Sequence, residues 1–115
     1  MDLTSTQVAD IVNNAKNAAN EAAKRELAAQ VNHGYCGFAW TNIWAYEGKK
    51  IRANSKLGKA LIAADVTKNY EGAYCLWNPS MLGVQSMGIL EVGARAAAEV
   101  FKAAGFSACA GSRVD

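Results

Sequence analysis

The stretch Cys36-Gly37-Phe38-Ala39-Trp40 is similar to the active-site motif of papain-type cysteine proteases, in which a second cysteine, three residues after the first, is the nucleophile. Here Ala39 occupies that position, and a methyl group cannot attack a carbonyl carbon. The mechanism also requires a histidine far downstream, whereas the single histidine, His33, precedes the motif. No carboxylate stands nearby to orient His33 and Cys36 as a pair. The sequence therefore predicts no nucleophilic catalysis.

Other catalytic and metal-binding patterns are missing from the sequence. It contains no glycine-rich phosphate loop, no paired carboxylates at a plausible spacing and no H-E-x-x-H. Cys36, Cys75 and Cys109 are widely separated and odd in number, which argues against a disulfide framework and against a zinc site. We therefore expect no enzyme activity, no catalytic residue, no metal and no cofactor. We expect the cysteines to be unpaired thiols that pack as small buried hydrophobic groups.

Residues suited to ligand binding occur near the end of the chain. Arg113 and Asp115 point the same way if the segment is extended. An arginine suits a phosphate, and an aspartate can accept from a ribose hydroxyl or orient the arginine. The alternative is an exposed Arg–Asp pair that contributes little to stability.

A second group of candidates lies in residues 77–86, which follow a predicted strand and open a helix. The free backbone N–H groups of that helix could receive an anion. Trp77 could stack on a base, although a tryptophan at such a position is more often part of the core, while Gln85 and Ser86 could hydrogen-bond a base or a sugar. The full set of candidate ligand-binding residues is Phe38, Trp77, Asn78, Gln85, Ser86, Arg113 and Asp115.

A long helix must precede these residues. It begins near Thr4 or Thr6, and Thr4 with Gln7 has the spacing of a capping box. Apolar residues recur at helical period from Val8 to Leu27 and form a thin, alanine-rich stripe. At ~1.5 Å per residue this helix is about 35–40 Å long, which is longer than one small domain requires. We therefore expect a second copy of the chain to pack on it, as a homodimer or a larger homo-oligomer.

The segment Asn32-His33-Gly34 is predicted to end this helix, because glycine adopts the left-handed cap conformation without strain. Residues 35–46 then form a strand with two different faces. One face is small: Ala39, Thr41, Ile43 and Ala45. The other is mostly aromatic: Cys36, Phe38, Trp40, Asn42, Trp44 and Tyr46. The small face suits a packed helix, and the aromatic face is either core or a stacking platform.

The second half of the chain is predicted to contain two more helices and two more strands. Ser55 caps a short helix over about Lys56 to Ala64, and a strand runs from Gly72 to Trp77. Asn78 or Ser80 then caps a long amphipathic helix with its apolar stripe at Met87, Leu90, Ala94, Ala97, Phe101 and Ala104. Gly105 ends this helix, and residues 106–115 form the last strand.

Together these elements predict one α/β domain over residues 1–115, with an α+β arrangement as the alternative. The helix of residues 1–33 precedes a core of residues 34–115, which holds a three-stranded sheet and one long crossover helix. If the last two strands pair in parallel, they form a right-handed β-α-β unit.

Length and composition agree with a single globular domain. The chain has 115 residues, of which 51% are hydrophobic, and it has no apolar run of the ~20 residues that span a membrane. Its N-terminus lacks the features of a signal peptide, so we expect a cytoplasmic protein. The net charge is +2, but six basic residues fall between positions 49 and 68. This basic segment is either a solvated surface or an attraction for a phosphate-bearing partner.

Four stretches together resemble a known family. They are "CGFAWTNI", "GAYCLWNP", the "QS" that opens an alanine-rich helix, and "AGFSACAGSRVD". They are similar to the Thoeris anti-defence protein 1 family of tailed bacteriophages, over roughly residues 34–115. The segment from Glu47 to Lys68 has no counterpart, and the strand before "WNPSML" continues without a clear binding loop.

The resemblance implies a protein that binds a signalling nucleotide without cleaving it. The ligand would be a cyclic ADP-ribose isomer made by a bacterial TIR-domain sensor, or a related cyclic nucleotide. Binding would keep that ligand from its effector in the host cytoplasm, and the family assembles from dimers into larger homo-oligomers.

Two other functions remain open from the residues alone. In the first, the chain is a nucleic-acid-binding module, in which an exposed aromatic face of Phe38, Trp40 and Trp44 stacks bases while the basic segment follows the phosphates. In the second, it is a structural or partner-binding phage protein without a small ligand.

Overall fold

A computed structural model describes residues 1–29, 35–69 and 73–115, and it shows three helices and a four-stranded sheet. The elements in chain order are α1 (Ser5–Ala28), β1 (Gly37–Trp44), α2 (Lys56–Ala63), β2 (Thr67–Lys68), β3 (Tyr74–Trp77), α3 (Met87–Ala103) and β4 (Ser107–Val114). A short 3-10 turn, Tyr46–Gly48, follows β1. The fold is therefore α+β. The long first helix and the three predicted strands are confirmed, and β2 adds a fourth strand.

The strand order is β2-β3-β1-β4, and every neighbouring pair is antiparallel. The expected parallel pairing of β3 with β4 is wrong. Both strands run in the same direction, but β1 lies between them and hydrogen-bonds to each. All eight residues of β1 pair with β4 on one edge, and four of them pair with β3 on the other. The helix α3 thus connects two strands that flank a third.

The predicted capping box of α1 is confirmed. The Thr4 hydroxyl accepts from the Gln7 backbone N–H, and the Gln7 side chain accepts from the Thr4 backbone N–H. The predicted stop at residues 32–34 lies outside the described residues. The buried side of α1 consists of Val8, Val12, Ala15, Ala19 and Ala23.

This buried side of α1 packs along α3 of the same chain. Gly93 of α3 allows the close approach, since a Cβ there would lie 3.2 Å from the Ala19 carbonyl oxygen and 3.5 Å from the Ala23 Cβ. The alanine stripe is therefore covered within one chain, and it gives no reason for a second copy. The homo-oligomer therefore stays a prediction, and the alanine stripe of α1 no longer supports it.

A single core joins α1 to the rest of the chain. Val8 and Val12 belong to the same buried cluster as Ile43, Tyr74 and Phe101. Residues 1–29 are thus part of the domain core rather than a separate arm. Within the described residues, no helix has both the length and the apolar character that crossing a membrane requires.

The two faces of β1 differ as predicted. Gly37, Ala39, Thr41 and Ile43 are buried, while Phe38, Trp40, Asn42 and Trp44 are only half-buried. Ala39 packs with Leu90 and Ala94 of α3, and the Thr41 hydroxyl donates to the Ala94 carbonyl at 2.9 Å. The small face is therefore the core face. We call the opposite, partly exposed side of the sheet the outer face.

The start of α3 differs from the prediction. Ser86 caps the helix by accepting from the Ile89 N–H, rather than Asn78 or Ser80. Residues 78–85 instead form an irregular loop, in which Asn78 and Met81 have φ angles of 43° and 61°. The predicted Ser55 cap of α2 is confirmed, as is the end of α3 before Gly105, where φ is 100°. The predicted strand start at residue 72 lies outside the described residues, and β3 begins at Tyr74.

Candidate functional site

Three aromatic rings form a continuous surface on the outer face. Trp40 of β1 stands opposite Trp77 of β3, and their rings are stacked with centroids 5.6 Å apart and an interplanar angle of 4°. Phe38 lies 5.6 Å from Trp77 at 35°. We call Phe38, Trp40 and Trp77 the aromatic tier. Its rings come together because alternate residues of β1 share a face and the β1–β3 register adds Trp77.

A glycine in the neighbouring strand fixes the position of Trp40. Gly111 of β4 is the register partner of Trp40, and a Cβ at Gly111 would lie only 2.5 Å from the indole Nε1. The indole therefore lies over bare backbone, an approach that only glycine permits. The indole Nε1–H also donates to the Asn42 Oδ1 at 3.2 Å.

Trp77 is exposed rather than buried. Its side chain is 52% accessible to solvent, so the alternative that it belongs to the core is wrong. It sits at the end of β3, on the face that the helices do not cover. Exposed tryptophan beside polar groups is typical of binding surfaces, because the ring can stack while its rim hydrogen-bonds.

A cleft of about 440 Å³ opens on one side of Trp77, and we call it the Arg113 cleft. It is lined by Trp40, Asn42, Thr67, Asn69, Cys75, Trp77 and Arg113. Arg113 is the only charged residue among the described residues that line it. The guanidinium lies 5.5 Å from the centroid of the Phe38 ring, in the range of a cation–π contact that holds it beside the tier. No described carboxylate forms an ion pair with it.

The cysteines are unpaired, as predicted, but two of them are not buried. Cys36 and Cys109 are exposed, because both belong to the outer face, and only Cys75 is half-buried. Burial raises the pKa of the Cys75 thiol above its ordinary value. The Cys75 thiol in the Arg113 cleft is therefore protonated at neutral pH and a weak nucleophile.

A second cleft, of about 290 Å³, opens on the other side of Trp77, and we call it the Asp115 cleft. Phe38, Trp77 and the loop before α3 all contribute to it. The lining residues are Cys36, Gly37, Phe38, Ala39, Trp77, Asn78, Leu82, Gly83, Val84, Gln85, Leu90 and Asp115. Asp115 is the only charged residue among these described residues, and its backbone N–H donates to the Cys36 carbonyl at 2.9 Å.

The structure gathers most of the predicted site residues around Trp77. Five of them line the Asp115 cleft: Phe38, Trp77, Asn78, Gln85 and Asp115. Arg113 shares the other cleft with Trp77. Arg113 and Asp115 thus lie on one side of the strand, as expected, but they serve different clefts. Ser86 lines neither one.

Two of the predicted residues have structural tasks. The Asn78 side chain donates to the Leu82 carbonyl at 3.2 Å and accepts from the Ser80 hydroxyl at 3.1 Å, so it shapes the loop. The Ser86 hydroxyl caps α3.

The anion site predicted at the start of α3 is not available either, because backbone N–H groups there already donate to other groups of the protein. The Met87 N–H donates to the Tyr35 carbonyl at 2.9 Å, and the Ile89 and Leu90 N–H groups donate to Ser86. These backbone donors therefore do not face a ligand.

Sequence reasoning missed several lining residues. Trp40 and Asn42 were placed on the aromatic face but not in the site, although their alternation with Phe38 was a usable signal. Thr67, Asn69 and Cys75 enter through the pairing of β2 with β3, and a two-residue strand leaves no periodicity to detect.

The basic segment is at the other end of the sheet. Its residues Lys49, Lys50 and Arg52 are exposed and follow the Trp44 end of β1, whereas Arg113 pairs with Phe38 at the opposite end. Lys56 forms an ion pair with Asp2 at 3.8 Å. Lys49, Lys50 and Arg52 therefore lie away from both clefts, whereas Thr67, near the end of the basic segment, lines the Arg113 cleft.

Comparison with known proteins adds no further residue to the site. Among residues 1–29, 35–69 and 73–115, no group of three or more histidine, cysteine or acidic side chains is arranged to hold a metal ion. No family model matches the chain, and no curated protein or solved structure is significantly similar to it.

Proposed function

We propose that this protein binds a nucleotide on the outer face of its sheet and sequesters it without cleaving it. The observation that carries the proposal is the position of Arg113, an arginine without a carboxylate partner among the described residues, held beside three aromatic rings. Trp77 offers a base a stacking surface, and Arg113 offers a phosphate a bidentate, charge-assisted contact. A nucleotide carries both of these groups, a base and a phosphate, on a single ribose.

The resemblance to the Thoeris anti-defence protein 1 family suggests which nucleotide to test first. It is a cyclic ADP-ribose isomer or a related cyclic nucleotide, held in the cytoplasm of an infected host. Sequestration is supported by the Cys75 thiol of the Arg113 cleft, which burial keeps protonated and therefore a weak nucleophile. Assembly as a homodimer or larger homo-oligomer is part of the same proposal.

The energetics require more than one contact. Stacking of one base is worth about 1–3 kcal/mol, and a hydrogen bond to a charged group is worth about 1.5–3 kcal/mol. Their sum falls short of the ~8 kcal/mol of a micromolar complex. Binding that is tight enough for sequestration therefore requires contacts in both clefts beside Trp77.

Isothermal titration of a cyclic ADP-ribose isomer into three variants tests the proposal. We expect Arg113→Ala to keep the fold and to weaken binding by about 1.5–3 kcal/mol. Arg113→Lys should recover only part of this loss, because an ammonium group cannot form the bidentate contact. Arg52→Ala, an exposed arginine of the basic segment, is the matched control and should bind like the wild type.

Two results would contradict the proposal. If Arg113→Ala binds as tightly as the wild type, the site lies elsewhere. If the ligand recovered after incubation is cleaved, the protein is an enzyme and not a sponge.

A second candidate function is binding of single-stranded nucleic acid. It is favoured by the row of aromatic residues on β1, which continues from Phe38 through Trp40 to Trp44, after which the chain enters the basic segment. In that case an oligonucleotide should bind more tightly than a mononucleotide, with a strong salt dependence. Arg52→Ala should then weaken binding. If neither ligand binds, a structural or partner-binding role remains.

A further inference from the structure

Trp77 separates two clefts that carry opposite charges. Among the described lining residues, Arg113 is the only charged residue of one cleft and Asp115 is the only charged residue of the other. A phosphate is attracted to the Arg113 cleft and repelled from the Asp115 cleft. This arrangement gives the bound ligand a direction, because only one of its ends can carry the phosphate.

The Asp115 cleft is suited to hydrogen-bond donors. A carboxylate accepts through two oxygens, so it can receive two neighbouring donors at once. The amide of Asn78 is engaged in the loop. The amide oxygen of Gln85 accepts only a long contact from a described residue, 3.8 Å from the Cys36 Sγ. A ligand group in this cleft therefore meets an aromatic wall, an amide and a carboxylate.

Resting on the proposed nucleotide function, we propose that the Asp115 cleft is a subsite for a pair of adjacent hydrogen-bond donors, so that the ligand lies across Trp77 with its phosphate at Arg113. The two residues are two positions apart on extended chain, about 7 Å between Cα atoms, a span that one nucleotide covers. A nucleotide can supply such a pair from the 2′,3′-hydroxyls of ribose or from the N1–H and N2–H of guanine. Adenine lacks this pair, because an acceptor stands beside its amino group.

Isothermal titration with AMP, 2′,3′-dideoxy-AMP, GMP and inorganic pyrophosphate shows whether the ribose or a guanine supplies the pair of donors. If ribose supplies the donors, AMP should bind about tenfold or more tighter than its dideoxy analogue. If guanine supplies them, GMP should bind about tenfold or more tighter than AMP. In Asp115→Ala the preference should disappear, and in Asp115→Asn, which keeps one acceptor, part of it should remain.

Pyrophosphate has no donor pair, so Asp115→Ala should not weaken its binding as it weakens that of the nucleotides. It should bind Asp115→Ala at least as tightly as the wild type, because the substitution removes a negative charge near the Arg113 cleft. Asp10→Asn, an exposed residue of α1, is the matched control and should leave every affinity unchanged. Asp115 is exposed, so circular dichroism should show a folded variant.

The inference is wrong if Asp115→Ala binds AMP and GMP with wild-type affinity while Arg113→Ala still weakens them. That result leaves the proposed function intact. If no nucleotide binds the wild type, the proposed function fails, and the donor subsite fails with it.

Discussion

Gly111→Ala should disrupt the aromatic tier without unfolding the protein. The added Cβ would lie 2.5 Å from Nε1, 2.6 Å from Cε2 and 2.9 Å from Cζ2 of the Trp40 indole. These atoms belong to the ring itself, so the conflict cannot be relieved by bending a flexible side-chain end. Because Trp40 is only half-buried, the indole can move toward solvent by about 1 Å to reach normal contact distance. That movement separates it from Trp77.

The expected change in stability is small because two effects oppose each other. Losing the stacked pair costs about 0.5–1.5 kcal/mol. Replacing glycine by alanine inside a strand returns about 0.5–1 kcal/mol of backbone entropy. The free energy of unfolding should therefore change by less than about 1 kcal/mol. Nucleotide affinity should fall by up to about 1–3 kcal/mol, the value of one base stack.

Near-ultraviolet circular dichroism, which reports on coupled tryptophan rings, is the assay for the tier, and urea unfolding measures the stability. Gly83→Ala is the control for both measurements, because a Cβ there has no neighbour within 4 Å. If Gly111→Ala keeps the wild-type spectrum, the described contact between Trp40 and β4 is wrong. If it unfolds the protein, the argument that the Trp40 indole can move toward solvent is wrong.

Three further predictions concern the core and the thiols. Tyr74→Phe should leave stability unchanged or raise it by up to about 1–3 kcal/mol, because the buried Tyr74 hydroxyl has no hydrogen-bond partner among the described residues. Burial also raises the pKa of Tyr74, so wild-type stability should decline above pH 10, where the unfolded phenol ionises, and the variant should decline less in chemical denaturation. Thiol titration should find three free groups after denaturation, and in the native protein Cys36 and Cys109 should react before Cys75; a disulfide or the reverse order would contradict this. Ala39→Leu should destabilise by about 1–3 kcal/mol in urea unfolding, because Ala39 is buried against α3, whereas Ala39→Cys should be tolerated; a change of only a few tenths for leucine would place that face in solvent.

The elements that could be predicted from the sequence are those with a local signal. The capping box at Thr4 and the glycine after α3 are local hydrogen-bond and backbone patterns. The alternation of β1 was also sufficient to assign Ala39 to the core face. The cap of α3 at Ser86 was missed, because Asn78 and Ser80 are equally good caps and only their place in the loop excludes them.

The sheet order and the two clefts depend on long-range pairing. Nothing local shows that β1 lies between β3 and β4, so the parallel pairing of those strands could not be excluded from the sequence. The Asp115 cleft exists because Gly37 N–H donates to the Gln85 carbonyl and Asp115 N–H donates to the Cys36 carbonyl. These bonds bring together residues that are about 50 to 80 positions apart in the chain, which no periodicity predicts. The residue types suited to a nucleotide were visible in the sequence, while their division between two clefts was not.

The central claim is that a nucleotide binds beside Trp77, and the indole N–H signals of the three tryptophans test it most directly. In a nitrogen–proton correlation spectrum of the labelled protein, a cyclic ADP-ribose isomer should shift the signals of Trp40 and Trp77. The signal of Trp44 is the internal control, because it lies about 13 Å along β1 from Trp40. Saturable shifts of Trp40 and Trp77 with an unchanged Trp44 are the predicted result. Shifts confined to Trp44, or no shifts at all, would contradict the claim.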